Sequence, residues 1–491
     1  MNISGHDILA ILPLIVTGSS IVILMTVIAF VRSHILTFVG AVISLVIGLF
    51  VIFFFHEDQS IQVTQLLIVD GYARFFLVLI YCTTLIITLQ SYAYIKHTKA
   101  VREEYYIFLL TALLGAAVLV CSNNLASLFI GIELLSISLY ILISYTGSKQ
   151  NIEAGIKYFV STAVAMAFLL FGMALIYGAT KTMQFNGISS VVSGSNQPVP
   201  KMFLMGVGLF LIGLFFKLAV VPFHFWIPDV FEGSSVPVTG FLATVSKGAV
   251  FAVLARYFSA MDITSHKSVF YMFAGVAVVS MFLGNITALL QNNVKRILAY
   301  SSIGHFGYLL ITVIAGSSTG LEASVFYLTA YFITILTAFS IITFLSSSES
   351  ELENIEDYKG LASRHPFFAA GLTAAMLSLA GIPLTAGFIA KFYVITAGAK
   401  MQLWILLAIL VINSVIGLFY YLRVAVYLYL PPSTKITREA TKRELQITSH
   451  ELSYSWMGGV TFVILFVSLF YLGIWPATVV RLISMLTKSL N

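Results

Sequence analysis

Residues 213–250 read GLFFKLAVVPFHFWIPDVFEGSSVPVTGFLATVSKGAV. Two apolar runs of helix length each carry a lysine, Lys217 and Lys247, and Pro222 interrupts the first. A membrane span should be uncharged there, because an ionised side chain at mid-bilayer costs about 2.5–3.5 kcal/mol on the insertion scale. Lys391 in PLTAGFIAKFYVI (383–395) and Glu133 in LFIGIELLSISLYIL (128–142) break the same rule. A chain that keeps several such charges usually moves something charged.

Composition sets the class around that stretch. The 491 residues are 59% hydrophobic and only 9% charged, with mean hydropathy +0.99. Soluble domains carry roughly 25% charged residues, so the pattern is that of an all-α polytopic membrane protein. A span needs about 20 apolar residues. The chain offers about fourteen, near 8–30, 35–55, 70–92, 105–121, 124–145, 155–178, 203–227, 238–258, 268–290, 296–315, 321–345, 366–397, 402–429 and 455–484. Runs this continuous are helices, since barrel strands would be short and alternating. The first run is full length without a small-residue cleavage site, so it reads as a span and not a signal peptide.

Orientation follows from the loop cations. With the N-terminus outside, inward loops hold 14 Lys and Arg, Lys295 among them, and outward loops with the C-terminal end hold 7, Arg256 among them. Both termini are therefore expected on the outer side of the membrane. The net charge of +6 is a topology signal, with no clustered patch for nucleic acid. Cys82 and Cys121 fall inside spans, against a disulfide framework or a cysteine metal site. The loops 346–360 (acidic) and 431–446 (mixed charge) are solvated segments or partner contacts. Asp70 and Arg74, at i and i+4 where span 3 begins, predict a structural ion pair.

An internal repeat organises the middle. Asn123-Asn124-Leu125 matches Asn292-Asn293-Val294, and IEAGIKYF (152–159) matches LEASVFYL (321–328), both offset by 169. LAVVP (218–222) matches LAGIP (379–383), offset by 161. Spans 4–8 thus recur as spans 9–13. Five is odd, so equivalent helices run in opposite directions. That is an inverted repeat, whose sites form at midplane on broken helices. The chain divides into three N-terminal spans (1–104), a first repeat (105–260), a second repeat (266–430), and a loop with the last span (431–491). Pro222 and Pro383 mark the breaks, at spans 7 and 12, because each removes a backbone donor and clashes with the preceding turn. One intramembrane proline often only kinks a helix. Two at matched positions, each near a lysine, favour breaks.

These groups permit a narrow chemistry. Desolvation pulls a lysine pKa down and a nearby carboxylate pulls it up. Moving one acidic partner therefore switches a buried lysine between its two states. Glu133 is the natural partner for Lys217. Lys247 and Lys391 can hand the proton on, with His224 and His305 as candidate relays. A lone histidine in a bundle is more often structural, and a lysine near a span end can snorkel, which applies most to Lys391.

The stretches 213–250, 292–310, 152–160, 128–140 and 376–394 resemble the antiporter-like membrane subunits of respiratory complex I, bacterial NADH-quinone oxidoreductase. The resemblance covers essentially the whole chain, and lysine at 391 distinguishes it from relatives with glutamate there. It implies proton translocation through Glu133 on span 5, Lys217 on span 7, Lys247 on span 8 and Lys391 on span 12. His305 would sit between Lys247 and Lys391, and His224 just after the first break. It also implies neighbouring antiporter-like and small membrane subunits, with the peripheral arm, as partners. NADH, FMN, iron–sulfur clusters and quinone would all lie in other subunits. The absence of a glycine-rich nucleotide fingerprint agrees with that. The related Mrp-type Na+/H+ antiporter subunits are the alternative, and a bridging scaffold is a third reading.

Overall fold

A computed structural model of the chain describes residues 5–54, 60–96, 102–194, 200–259, 267–316, 318–346, 351–431 and 456–487. Apolar runs become helices here because a helix satisfies its own backbone groups where no water is available. The helices are α1 (Gly5–Ala10), α2 (Leu12–Phe30), α3 (His34–Phe54), α4 (Gly71–Lys96), α5 (Glu104–Val120), α6 (Leu125–Ser144) and α7 (Lys149–Thr180). There follow α8 (Phe185–Gly194), α9 (Lys201–Leu218), α10 (Trp226–Gly233), α11 (Val236–Phe241), α12 (Lys247–Ser259), α13 (Lys267–Leu289), α14 (Val294–Ala315) and α15 (Ser318–Leu345). Then come α16 (Leu361–Arg364), α17 (Pro366–Ala380), α18 (Ala386–Lys400), α19 (Trp404–Tyr429), and the helices Trp456–Ile474 and Ala477–Thr487. Among the described residues 12 helices are long and apolar enough to cross a membrane, counting Val236–Ser259 as one. The apolar helices α5 and α17 are shorter.

The burial pattern is concentric. Val236–Phe258 is buried throughout, and α14 and α15 nearly so. By contrast α2, α3, α7 and α19 turn large apolar side chains outward, such as Phe30, Phe171 and Phe419. Such faces suit lipid or neighbouring subunits.

Several boundaries differ from the sequence expectation. The last span stops at Ile474, because Pro476 opens a separate helix at Ala477. The first is interrupted at Ile11, ahead of Pro13. A two-stranded hairpin, β1 (Ile61–Val63) with β2 (Leu67–Val69), precedes α4, and short antiparallel strands of this length carry little sequence signal. Apart from Pro431, the 431–446 loop lies outside the described residues.

The expected Asp70–Arg74 pair is corrected. Arg256, counted above as an outward loop cation, is 5% exposed and grips Asp70 with two parallel bonds of 2.7 and 2.8 Å. Asp70 also caps α4 by accepting from Ala73 N at 2.7 Å. An Asp70→Asn substitution leaves a buried guanidinium without its counter-charge, which costs about 3–5 kcal/mol. The expected result is a marked fall in the thermal stability of the purified complex. Unchanged stability would refute this.

The repeated sequence motifs adopt repeated local structure. Asn124 Oδ1 accepts from Ala126 N at 2.9 Å and caps α6, and Asn293 Oδ1 accepts from Arg296 N at 3.1 Å and caps α14. Each asparagine also forms a bridge to a later segment, Asn124 to Gln184 and Asn293 to Asn354. The flanking backbone bonds correspond too: Leu125 N to Met183 O and Phe185 N to Asn123 O, against Val294 N to Glu353 O and Ile355 N to Asn292 O.

Candidate functional site: a line of buried lysines

The two breaks are built alike. Helix α9 ends at Leu218, with Ala219 in the left-handed region (φ 56°), and α17 ends at Ala380, with Gly381 there (φ 85°). In each, the cap N–H and the next N–H turn back onto the last carbonyls: Ala219 N to Phe216 O and Val220 N to Phe215 O, then Gly381 N to Ser378 O and Ile382 N to Leu377 O. This Schellman closure satisfies carbonyls that a proline-broken helix would otherwise strand. Pro222 and Pro383 lie just beyond, before α10 and α18 resume. Trp226 Nε1 donates a further bond to Phe216 O at 3.0 Å.

Lys217 stands in the last turn of α9, 3% exposed. Its ammonium donates to Ser136 Oγ at 2.6 Å and to Tyr158 OH at 3.1 Å, and lies 4.8 Å from the Tyr158 ring centre. Helices α7 and α9, which carry Tyr158 and Lys217, touch backbone to backbone at Gly172 and Gly206. A Cβ on Gly172 would fall 2.3 Å from Phe210 N. Glu133 lies one turn before Ser136 on the same face of α6, half-buried and near enough for its charge to act on Lys217. No ion pair joins the two in this conformation; the hydroxyls hold the lysine instead.

Lys247 opens α12 and is fully buried. A π-helical turn, Leu242–Ser246, immediately precedes it. Such turns are frequent at functional sites. The ammonium donates to Ser302 Oγ at 2.8 Å and sits 4.9 Å from the Phe306 ring centre. One turn on from Ser302, His305 is bound at both ring nitrogens: Nδ1 to Tyr327 OH at 2.6 Å and Nε2 to Tyr421 OH at 3.0 Å. Beside that cluster, Tyr420 OH donates to Asn285 Oδ1 at 2.9 Å, and Asn285 Nδ2 donates to Tyr308 OH at 3.2 Å.

Lys391 lies over the Tyr308 ring at 5.5 Å. Reaching back across the break, it donates to Ala380 O at 2.8 Å and to Ser414 Oγ at 2.7 Å. A cation at the carboxyl end of a half-helix meets the negative end of its dipole. At 7% exposed, this lysine is buried and does not snorkel.

His224 is not joined to this line. It lies in the turn after Pro222, its ring 4.4 Å from that of Phe225, and it makes no hydrogen bond to Lys217. The tyrosines and serines that hold the lysines were not singled out in the sequence. The available signal was the repeat match of 152–159 with 321–328, which pairs Tyr158 with Tyr327. A second charged cluster was also missed. Asp229 on α10 accepts from Lys157 at 2.8 Å and Arg296 at 3.0 Å, and Arg296 also reaches Glu232 at 2.6 Å. Lys295, 1% exposed, pairs with Glu351 at 2.5 Å, and so is no free loop cation. Without Lys295 and Arg256, the loop tally becomes 13 inward to 6 outward, in the same sense.

A membrane bundle with broken helices and three buried lysines has the features of an antiporter-like transporter subunit. Residues 122–417 match the family model for the NADH:quinone oxidoreductase/Mrp antiporter transmembrane region. The chain is 42% identical to NADH-quinone oxidoreductase subunit N of Ectopseudomonas mendocina (strain ymp), across 98% of this chain and 97% of that one. It belongs to that subunit N family, the branch to which lysine at 391 points. Among solved structures, a chain of respiratory complex I from Thermus thermophilus with bound aureothin superposes with TM-score 0.80 at 28% identity, covering 96% of this chain and 98% of that one. A chain of the Mrp complex from Dietzia sp. DQ12-45-1b gives 0.84 at 20% identity, covering 99% and 97%, a likeness of fold.

Proposed function

We propose that this chain is a proton-translocating membrane-arm subunit of NADH-quinone oxidoreductase. In this reading it is driven by redox chemistry in other subunits and passes protons along Glu133, Lys217, Lys247, His305 and Lys391. The observation that carries the proposal is that three lysines are buried, each held by neutral hydroxyls or a carbonyl. Moving one elementary charge against 100 mV takes about 2.3 kcal/mol, so the driving step must come from the partners. The Glu133–Lys217 pair is the switch: open here, it closes when α6 and α9 shift, and changes the charge state that Lys217 prefers. The architecture we infer has fourteen spans, with α5 and the α17–α18 pair added to the twelve long helices, and both termini outward. Spans 4–8 and 9–13 form inverted repeats, supported by the paired asparagine caps and paired helix closures. The Mrp antiporter reading has a shared fold in its favour, whereas full-length identity of 42% favours the redox-driven complex.

Lys217→Ala tests this reading. In reconstituted vesicles the variant complex is expected to lose most of its NADH-driven proton uptake, with quinone reduction falling alongside. Full uptake in a variant lacking both Lys217 and Lys247 would sink the pathway.

A further inference from the structure

Arg423 lies within two turns of the carboxyl end of α19. Its guanidinium donates to the carbonyl of Gln291, which follows the exposed Leu290 where α13 has ended. Gln291 Oε1 accepts from Arg296 Nε at 3.1 Å, so two arginines meet on one glutamine. Only one of them is neutralised. Arg296 is answered by Asp229 and Glu232. Arg423 is half-buried, has no ion pair among the described residues, and keeps a buried Nε without a hydrogen bond. A cation within a span is normally paired, and a buried donor left unbonded is destabilising.

A second cation stands one turn further along the helix. Lys359 Nζ lies 5.1 Å from the ring centre of Tyr427. Its ion pair with Glu356, 3.6 Å long and on a carboxylate 73% exposed, is weak. Around these cations the surface is apolar: Phe419, Leu422 and Val426 of α19 are exposed, as are Ile286 and Leu290 of α13, which packs beside it. Phe419 and Ile286 continue that surface away from the charges, toward the middle of the two helices. An occupant must bring an anion to the helix ends and an apolar chain to the seam between α13 and α19. A carboxylate on a neighbouring helix would supply the charge only with its own desolvation. A phospholipid keeps its phosphate at the wet boundary and its chains in the hydrocarbon, and basic residues beside spans hold such headgroups.

We propose that an anionic phospholipid binds at this end of the α13–α19 seam. Its phosphate sits on the Arg423 guanidinium with Lys359 alongside, and an acyl chain lies against Phe419 and Ile286. The site goes beyond proton transport and stands or falls separately from it.

Electron cryo-microscopy of the intact complex, in phosphatidylglycerol nanodiscs and a buffer containing inorganic phosphate, tests the site directly. The expected result is a phosphate peak about 3 Å from the Arg423 guanidinium, continuous with tail density along Phe419 and Ile286. A compact peak without a tail assigns free phosphate and overturns the lipid. A neighbouring subunit's side chain seated on Arg423, or no density at all, overturns it equally. Recognition of the headgroup is measured by photo-crosslinking tail-labelled phosphatidylglycerol to α19 in the intact complex. Arg423→Gln should lower that labelling about fivefold, the factor equivalent to about 1 kcal/mol for one basic residue near an anionic surface. Labelling by the phosphatidylcholine analogue should fall less. Unchanged labelling by phosphatidylglycerol, or an equal loss of both lipids, overturns the assignment. Lys359→Gln, on the outer side of the site, should give a smaller loss in the same direction. If Arg423→Gln does not assemble, the Lys359 variant and the density in the native complex decide.

Discussion

A complex carrying Lys247→Met is expected to assemble, yet to oxidise NADH slowly and drive proton uptake about tenfold less than the native complex, or not at all. Methionine nearly matches lysine in length and volume, so the fully buried site on α12 stays filled. Alanine would instead open a cavity costing about 2–5 kcal/mol. What disappears is the titratable ammonium of Lys247, along with its bond to Ser302 Oγ. Loss of a titrating carrier raises the transfer barrier, and a rise of only about 1.4 kcal/mol already slows a step tenfold. Lys247→Arg should fail similarly despite keeping its charge, because arginine does not release a proton in proteins. Vesicle proton uptake, normalised to complex content, is the measurement. Native uptake by the Met variant would remove Lys247 from the route.

The charged residues and the breaks were legible in the sequence for one reason: each violates an otherwise apolar pattern. Lys217, Lys247, Lys391, Pro222 and Pro383 stand out because a span has a strong expectation to break. Their partners have no such contrast. Ser302, Ser414, Tyr158 and Tyr327 are ordinary residues of membrane helices, and only the folded chain shows which of them meets an ammonium. The Asp70 misreading has the same root. An i, i+4 spacing is visible locally, whereas the true partner Arg256 lies 186 residues away. The π-helical turn before Lys247 likewise leaves no periodic trace, since its five residues are as apolar as the helices on either side.

The reach of Lys391 across its break makes its position sensitive to a substitution that touches no ionisable group. Gly381 is the cap of α17, at φ 85°, where only glycine avoids a steric cost. An added Cβ would lie 2.9 Å from Lys391 Cδ, 3.1 Å from Nζ and 3.3 Å from Cε. Gly381→Ala therefore has two consequences. The left-handed backbone costs about 1–2 kcal/mol, and the lysine must swing away from Ala380 O, which it meets at 2.8 Å. The ammonium then loses its place on the half-helix dipole and its register with Ser414 and Tyr308. Proton uptake is expected to fall about as far as in Lys391→Ala, although every charge remains. Gly316→Ala separates the two causes. Gly316 ends α14 at φ 55°, with nothing closer to an added Cβ than a backbone oxygen at 3.7 Å. It should incur a similar backbone cost and leave uptake close to native. Equal losses in both variants would reduce the effect to strain. Native uptake in Gly381→Ala would show that transport does not depend on where the Lys391 ammonium sits.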